Sequence, residues 1–334
     1  MSDFTAAGAR ARGLSTHLFH RSELEQLVGS DTPSLARSLS RSGRLAAPLP
    51  DGARPRDIDH AVRQTVKRHL ALLARWDGSR PVIEVFSAEQ DRRSLRTLLR
   101  GAQQSASSDR RLAGLAPTST LPERVLAELA HQPTPAEVVA HLVAIDHPDA
   151  GRLAALTAKQ AQPDLFAIDL ALVQGFAERG LKAVRRGDDT LHRFVSRRLD
   201  LLNAQTALLL GNTRDVEAER CFVPGGLHLP KERFLEAARG PAASALLVLR
   251  RAFHGTPLEP VVEGIPDANT FEYRGLAVLA DEVRREAREA PLGSGPLLDF
   301  LLHLDAMAND LRRLAWASAL GAPVSLVRPE LVTP

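Results

Sequence analysis

The chain has 334 residues, 44% of them hydrophobic and 25% charged, with a formal net charge of +3. That length holds a large core or two to three lobes of roughly 100 residues, and that balance excludes wholesale disorder. The single cysteine, Cys221, excludes an intramolecular disulfide framework and a cysteine-based zinc cluster, and it fits a cytosolic protein.

Taken in chain order, the sequence reads as helix almost throughout. Ser22–Gly29 places Leu24, Leu27 and Val28 on one face, with Ser22 and Glu25 spaced as a capping box and Gly29 suited to the stop. Asp57–Trp76 carries the stripe Ile58, Ala61, Val62, Val66, Leu70 and Leu73. Leu121–Leu129 opens with Pro122 in its first turn and presents Val125, Leu126 and Leu129. Asp164–Val184 is a long amphipathic segment, and Thr270–Ala287 and Leu297–Ala319 close the chain in the same style. Gly, Pro and Asp punctuate at Gly43–Pro55, Gly114–Thr120, Pro224–Pro230, Pro257–Pro266 and Pro291–Pro296. Aromatics are only 4% and alternating β-branched runs are scarce, which disfavours strands. The expected fold is all-α, with about twelve or more helices.

No apolar run approaches the roughly 20 residues a membrane helix needs. Ala242–Leu249 comes nearest and is cut off by Arg250 and Arg251. Asp3, Arg10 and Arg12 precede no apolar segment, so the N-terminus does not read as a secretory signal. A membrane role therefore has to run through a membrane partner. Of 43 basic residues only four are lysines (67, 159, 182 and 231), so the pI of 9.5 reflects arginine almost alone. Abundant Ala, Leu, Gly and Pro give this the look of codon bias in a GC-rich genome. Interleaved acids argue against a broad nucleic-acid surface.

A repeat is the informative feature. Three long helices begin Pro55–Asp57–Ile58, Pro163–Asp164–Leu165 and Pro266–Asp267. The helices that follow carry Asp91 with Ser94, Asp200 with Asn203, and Ala306 with Asn309. Asp91 and Asp200 lie 109 positions apart, and Asn203 and Asn309 lie 106 apart. A period near 107 is too long for a simple solenoid, so each copy reads as a small helical lobe: 1–115, 116–217 and 218–334. Polar residues at i and i+3 share a helix face, and their flanks are apolar. Such buried groups need partners, and a clamp on the backbone at a neighbouring helix end is the expected one.

Motifs for chemistry are missing. There is no Gly-x-x-x-x-Gly-Lys-Ser/Thr loop and no His-Glu-x-x-His, and Gly293-Ser-Gly295 lacks the strand-then-helix setting of a dinucleotide loop. His17 and His20 read as one helix face, and His131, His141 and His147 lie within reach of Asp146 and Asp149 without a full ligand pattern. Asp188-Asp189 reads as a solvated loop and helix cap, and Cys221 has no base beside it. No catalytic residue, metal or cofactor is assigned. Arg92, Arg96 and Arg100 form an i+4 stripe, either a wet helix face or a contact for an acidic partner. Nucleic acid is disfavoured there because no aromatic side chain is interleaved to stack on bases.

Four stretches together resemble the C subunit of the V-type and archaeal-type rotary ATPases, the d-subunit family of eukaryotes. Ala9-Arg-Ala-Arg12 is similar to that family's Ala-Arg-Val-Arg start of its first helix. Asp200 and Asn203 match its Asp-x-x-Asn-Leu segment, and Phe222-Val-Pro-Gly-Gly226 resembles its Pro-Gly-Gly connection. Pro296–Leu302, Asn309 and Leu320–Val332 resemble its closing helices. The chain departs from the pattern at Ser94, Ala306 and Leu209, and Tyr273 is its one tyrosine. The resemblance implies three pseudo-repeated helical lobes arranged as a funnel or socket. It implies a non-catalytic central-stalk rotor part, peripheral on the cytoplasmic face, monomeric within its hetero-complex and on the membrane only through the ring. Its partners are then the central-stalk shaft subunits and the membrane rotor ring. The competing reading is an arginine-rich all-α scaffold or adaptor unrelated to rotary ATPases.

Overall fold

The computed structural model describes residues 4–160, 163–211, 215–263 and 268–334. Among these the fold is all-α, with no strand. The expected helix start at Pro266–Asp267 lies outside the described residues. In chain order the helices are α1 (Thr5–Ser15), α2 (Arg21–Leu27), α3 (Thr32–Ser42), α4 (Pro55–Leu73), α5 (Arg80–Gln103) and α6 (Ser108–Leu112). Next come α7 (Glu123–Ala130), α8 (Pro135–Ala144), α9 (Ala150–Thr157), α10 (Leu165–Val184), α11 (Asp189–Leu210) and α12 (Asp215–Cys221). The last are α13 (Lys231–Arg239), α14 (Ala242–Phe253), α15 (Glu259–Val262), α16 (Ala268–Glu289), α17 (Gly295–Leu320) and α18 (Val324–Val327).

Local chemistry sets these bounds and corrects several expected ones. The first cap is not Ser22 with Glu25. His20 is the N-cap residue of α2, and the Glu23 carboxylate reaches back to accept its N–H at 3.0 Å. His17 and His20 both fall in the link between α1 and α2, so they share no helix face. Pro122 precedes α7 as its N-cap residue instead of occupying the first turn. Asp188 caps α11 by accepting from Leu191 N (3.0 Å), and it also accepts from Ser294 N and Oγ, which ties α11 to the start of α17.

Helices α4, α5, α10, α11, α16 and α17 are the long ones, and they pack most extensively as α5 on α10, α17 on α4, and α16 on both α11 and α17. Short helices cover each pairing. Leu126, Leu129, Val138, Leu142 and Leu153 of α7–α9 bury against Leu95 and Leu98 of α5 and against Ile168 and Leu172 of α10. Phe234, Leu249 and Phe253 join the α11–α16 core, and Leu24, Leu35 and Leu39 join that of α17 and α4. Burial of a side chain of this size contributes about 1.5–3 kcal/mol, so these covers are bound by their apolar faces.

Candidate partner-binding site

Three buried aspartates, each on a long helix, grip the chain segment that follows the helix. Asp91 of α5 is fully buried and accepts the hydroxyls of Thr118 (2.6 Å) and Thr120 (2.5 Å). Arg179 of α10 lies 2.7 Å from the same carboxylate, and His147 Nε2 lies 3.7 Å from it. Burial pushes the Asp91 carboxyl up, but His147, Arg179 and the two threonines outweigh it and hold it below its ordinary value. His147 Nδ1 accepts the Asp149 N–H at 3.1 Å, which leaves Nε2 as the protonated nitrogen aimed at Asp91. Ser94 is buried one turn further along α5.

Asp200 of α11 is also fully buried, and accepts the N–H groups of Leu227 (3.0 Å), His228 (2.9 Å) and Leu229 (3.0 Å). Asn203 completes the grip. Its side-chain amide donates to Val223 O (2.7 Å), and its Oδ1 accepts from Val223 N (3.0 Å). The Pro-Gly-Gly stretch has a steric reason here. Gly225 sits at φ +114°, and a Cβ on Gly226 would lie 2.1 Å from Asp200 Oδ1.

In the third copy the gripping residue is Asp310, not Asn309. Asp310 is fully buried and accepts from Val332 N (2.8 Å), Thr333 N (2.7 Å) and Thr333 Oγ1 (2.7 Å). It lies 110 positions after Asp200, which makes the spacing of the three aspartates almost equal. Arg313, in register with Asn203, pairs with Asp310 (2.7 Å) and donates to the Glu330 carbonyl. Asn309 is only half-buried and its Oδ1 meets Arg312 at 3.4 Å. The true register differs from the expected one at Ala306 by about one helical turn, so both choices occupy the same face.

The arginine stripe of α5 enters a charged centre shared by five long helices. Arg92, 3% exposed, donates to Glu89 (3.0 and 2.9 Å) and to Glu272 of α16 (2.5 Å). Arg198 of α11, 1% exposed, donates to the same two carboxylates at 2.9 and 2.8 Å. Arg93 bridges Glu89 (3.0 Å) and Asp305 of α17 (2.7 Å). Arg96 bridges Glu272 (3.1 Å) and Asp169 of α10 (3.2 Å), and Arg100 reaches Asp169 at 3.5 Å. Burial works to raise Glu89 and Glu272, but Arg198 and Arg92 overcome it and hold both well below the ordinary carboxylate range. Arg92 is therefore an internal strut. Arg96 and Arg100, on the outer part of the stripe, are partly exposed.

Those outer arginines line a cavity of about 640 Å³ between α5, α16 and α17. Arg93, Arg96 and Arg100 form one wall, Arg312 and Arg313 the other, with the carboxylates Glu272 and Asp305 between. Each of these arginines is ion-paired within the chain, Arg312 with Asp59 at 2.7 Å and Arg313 with Asp310. Glu89, Arg198, Glu272 and Asp305 escape sequence reasoning, because only packing reveals which charges converge. Buried charged residues on five helices leave no spacing signature.

A family model described as ATP synthase (C/AC39) subunit matches residues 7–328. The chain belongs to the ATP synthase (C/AC39) subunit family. It is 27% identical over 340 residues to the V-type ATP synthase C subunit of one Thermus thermophilus strain, with 99% of each chain covered. The same figures hold for the C subunit of a second strain of that species. The matched residues include Asp91, Asp200 and Asp310.

Proposed function

We propose that the chain is a non-catalytic central-stalk subunit of a V/A-type rotary ATPase, a socket that couples the stalk shaft to the membrane rotor ring. The observation that carries this reading is the end-to-end match to a family whose relatives are named as C subunits of V-type ATP synthases. The proposed arrangement is three helical lobes, 1–115, 116–217 and 218–334, around a central opening. Each division holds one gripping aspartate: Asp91, Asp200 or Asp310.

The physics of the centre supports the role. A two-helix shaft is about 20 Å across with side chains, so its seat must be bordered by several lobes. Torque requires that the lobes not shear. The Glu89–Arg92–Arg198–Glu272 cluster, with Arg93–Asp305 and Arg96–Asp169, pins α5, α10, α11, α16 and α17 to one another. Arg96 and Arg100 at the cavity wall are the proposed contacts for an acidic stretch of the shaft. No helix among the described residues is long and apolar enough to cross a membrane, so in this reading the ring supplies the anchorage. The proposed place is the cytoplasmic face, in one copy per complex.

The test is purification of the tagged protein from its native membrane, followed by identification of the co-purifying chains. Shaft and ring subunits of a rotary ATPase are expected. Recovery of neither from intact complexes would sink the proposal.

A further inference from the structure

The first of the three grips differs from the other two in its chemistry. Asp200 and Asp310 are held chiefly by backbone N–H groups, whereas Asp91 is met by four side chains, one of them the imidazole of His147. His147 lies in the link between α8 and α9, and its ring is fully buried. The charged groups facing it are Asp91 of α5, 3.7 Å from Nε2, and Asp149 at the cap of α9, with Oδ2 3.9 Å from Nδ1. Arg179 of α10 bridges the same two carboxylates at 2.7 and 3.6 Å. Arg152 of α9 also acts on Asp149 and is itself paired with Glu178. Two buried carboxylates thus share one close guanidinium. Asp149 shows the shortage: among the described residues its Oδ1 has no hydrogen-bond partner, and burial pushes its carboxyl up. A Cβ on Gly175 would lie 1.8 Å from that Oδ1, so the carboxylate is pressed against α10. The turn presenting the ring is tightly wound, with Asp146 in the left-handed region at φ +53° and His147 N donating to Leu142 O at 3.0 Å. Nδ1 accepts the Asp149 N–H at 3.1 Å, a bond that only the uncharged ring can make.

We propose that His147 is a proton-driven latch on the α8–α9 turn, set where Asp91 grips the link between α6 and α7. Uncharged, the ring holds the turn through the Asp149 N–H. A proton taken from solvent at Nδ1 turns that acceptor into a donor facing another donor, so the bond breaks. The charged ring instead donates from Nδ1 to the Asp149 carboxylate and from Nε2 to Asp91, and it supplies the second positive charge. Both gaps, 3.9 and 3.7 Å, are too long for hydrogen bonds until the turn shifts. The start of α9 therefore has two arrangements, chosen by pH across the range in which histidine changes charge. The inference stands apart from the rotor reading, since every group in it belongs to this chain and its test needs no partner.

The experiment is hydrogen–deuterium exchange of the full chain at about pH 7.5 and about pH 5.5, either side of an ordinary histidine value. It is read by mass spectrometry on peptides spanning 145–155 and compared between variants at the same pH. In His147→Gln the side chain keeps an acceptor for the Asp149 N–H and a donor toward Asp91 but takes up no proton. At the upper pH the wild type and H147Q should exchange alike. At the lower pH the segment should exchange at least about threefold faster in the wild type, because the ring that held it has changed partner. His131→Gln, which alters an exposed histidine at the end of α7, should follow the wild type at both values. Asp149→Asn removes the carboxylate that receives the charged ring and should shift the response to lower pH. A thermal melt at the upper pH shows that each variant is folded. NMR of ring-labelled histidine in the wild type gives a reading that needs no variant. The His147 ring, assigned through its contact with the Asp149 amide, should pass from the Nε2–H tautomer to the imidazolium between the two values. Equal exchange of wild type and H147Q at the lower pH would overturn the inference, as would loss of the response in H131Q or a His147 ring that stays uncharged.

Discussion

Replacing Asp310 by Ala tests the corrected register of the third copy. Asp310 accepts two backbone N–H groups and one hydroxyl from Val332 and Thr333, at 2.7–2.8 Å. Thr333 is 1% exposed, so its N–H has no water to turn to once the carboxylate is gone. A buried donor left without a partner costs about 1–3 kcal/mol, and two backbone donors lose theirs, so about 3–5 kcal/mol is expected after partial relaxation. Arg313 also loses one of its partners, but it keeps the Glu330 carbonyl, is 30% exposed and adds little. Asn309→Ala removes only a 3.4 Å contact to Arg312 and should cost less than about 1 kcal/mol. Urea unfolding followed by circular dichroism gives both values. Limited proteolysis should release the C-terminal segment from D310A well before it does so from N309A. If N309A proves as destabilising as D310A, the assignment of Asp310 as the third gripping residue is wrong.

Other expectations follow from the same geometry. Gly226→Ala drives its methyl into the Asp200 carboxylate and should cost about as much as Asp200→Ala, roughly 3–5 kcal/mol by urea unfolding, with the double variant far from additive. Arg198→Met leaves Glu89 and Glu272 buried with fewer counter-charges and should cost about 2–4 kcal/mol, and adding Glu272→Gln should return part of that loss in a double-mutant cycle. Glu89 and Glu272 are held below their unfolded value of 4.5, so their contribution is complete above that pH and is lost as the pH falls through their lower folded values. Urea midpoints measured downward from pH 4.5 should therefore decline, and the decline should be shallower in R198M. Arg100→Glu at the cavity wall should leave the melt nearly unchanged and weaken recovery of the shaft subunits, and full recovery would remove Arg100 from the proposed contact.

The helices are legible in the sequence because their apolar stripes repeat at helical spacing, as in α4, where Ile58, Val62, Val66 and Leu73 are all buried. The long helices and the Gly and Pro stops between them are therefore readable one segment at a time. The third copy is misaligned by spacing alone because a slip of one turn returns to the same helix face. Ala306 and Asp310 are indistinguishable by periodicity, and only the hydrogen bonds to residues 332 and 333 decide between them. The α5 arginines show the other limit. The i+4 stripe of Arg92, Arg96 and Arg100 is visible in sequence, but burial differs along it because Arg92 faces Arg198 and Glu272 on two other helices. Contacts from a residue near 90 to residues near 200, 270 and 305 have no trace in local spacing. The closure between Arg21 and Pro334, across nearly the whole chain, is of the same kind.

Site-directed crosslinking from the cavity in the intact complex tests the central proposal most directly. Thr97 is exposed on the cavity wall beside Arg93 and Arg100, and the native Cys221 is buried, so Thr97→Cys offers one accessible thiol. With a short thiol-to-amine crosslinker, a socket for the shaft predicts a covalent adduct between this chain and a shaft subunit. A thiol in the T97C variant that reacts freely with a soluble reagent, yet forms no shaft adduct in assembled complexes, would contradict it.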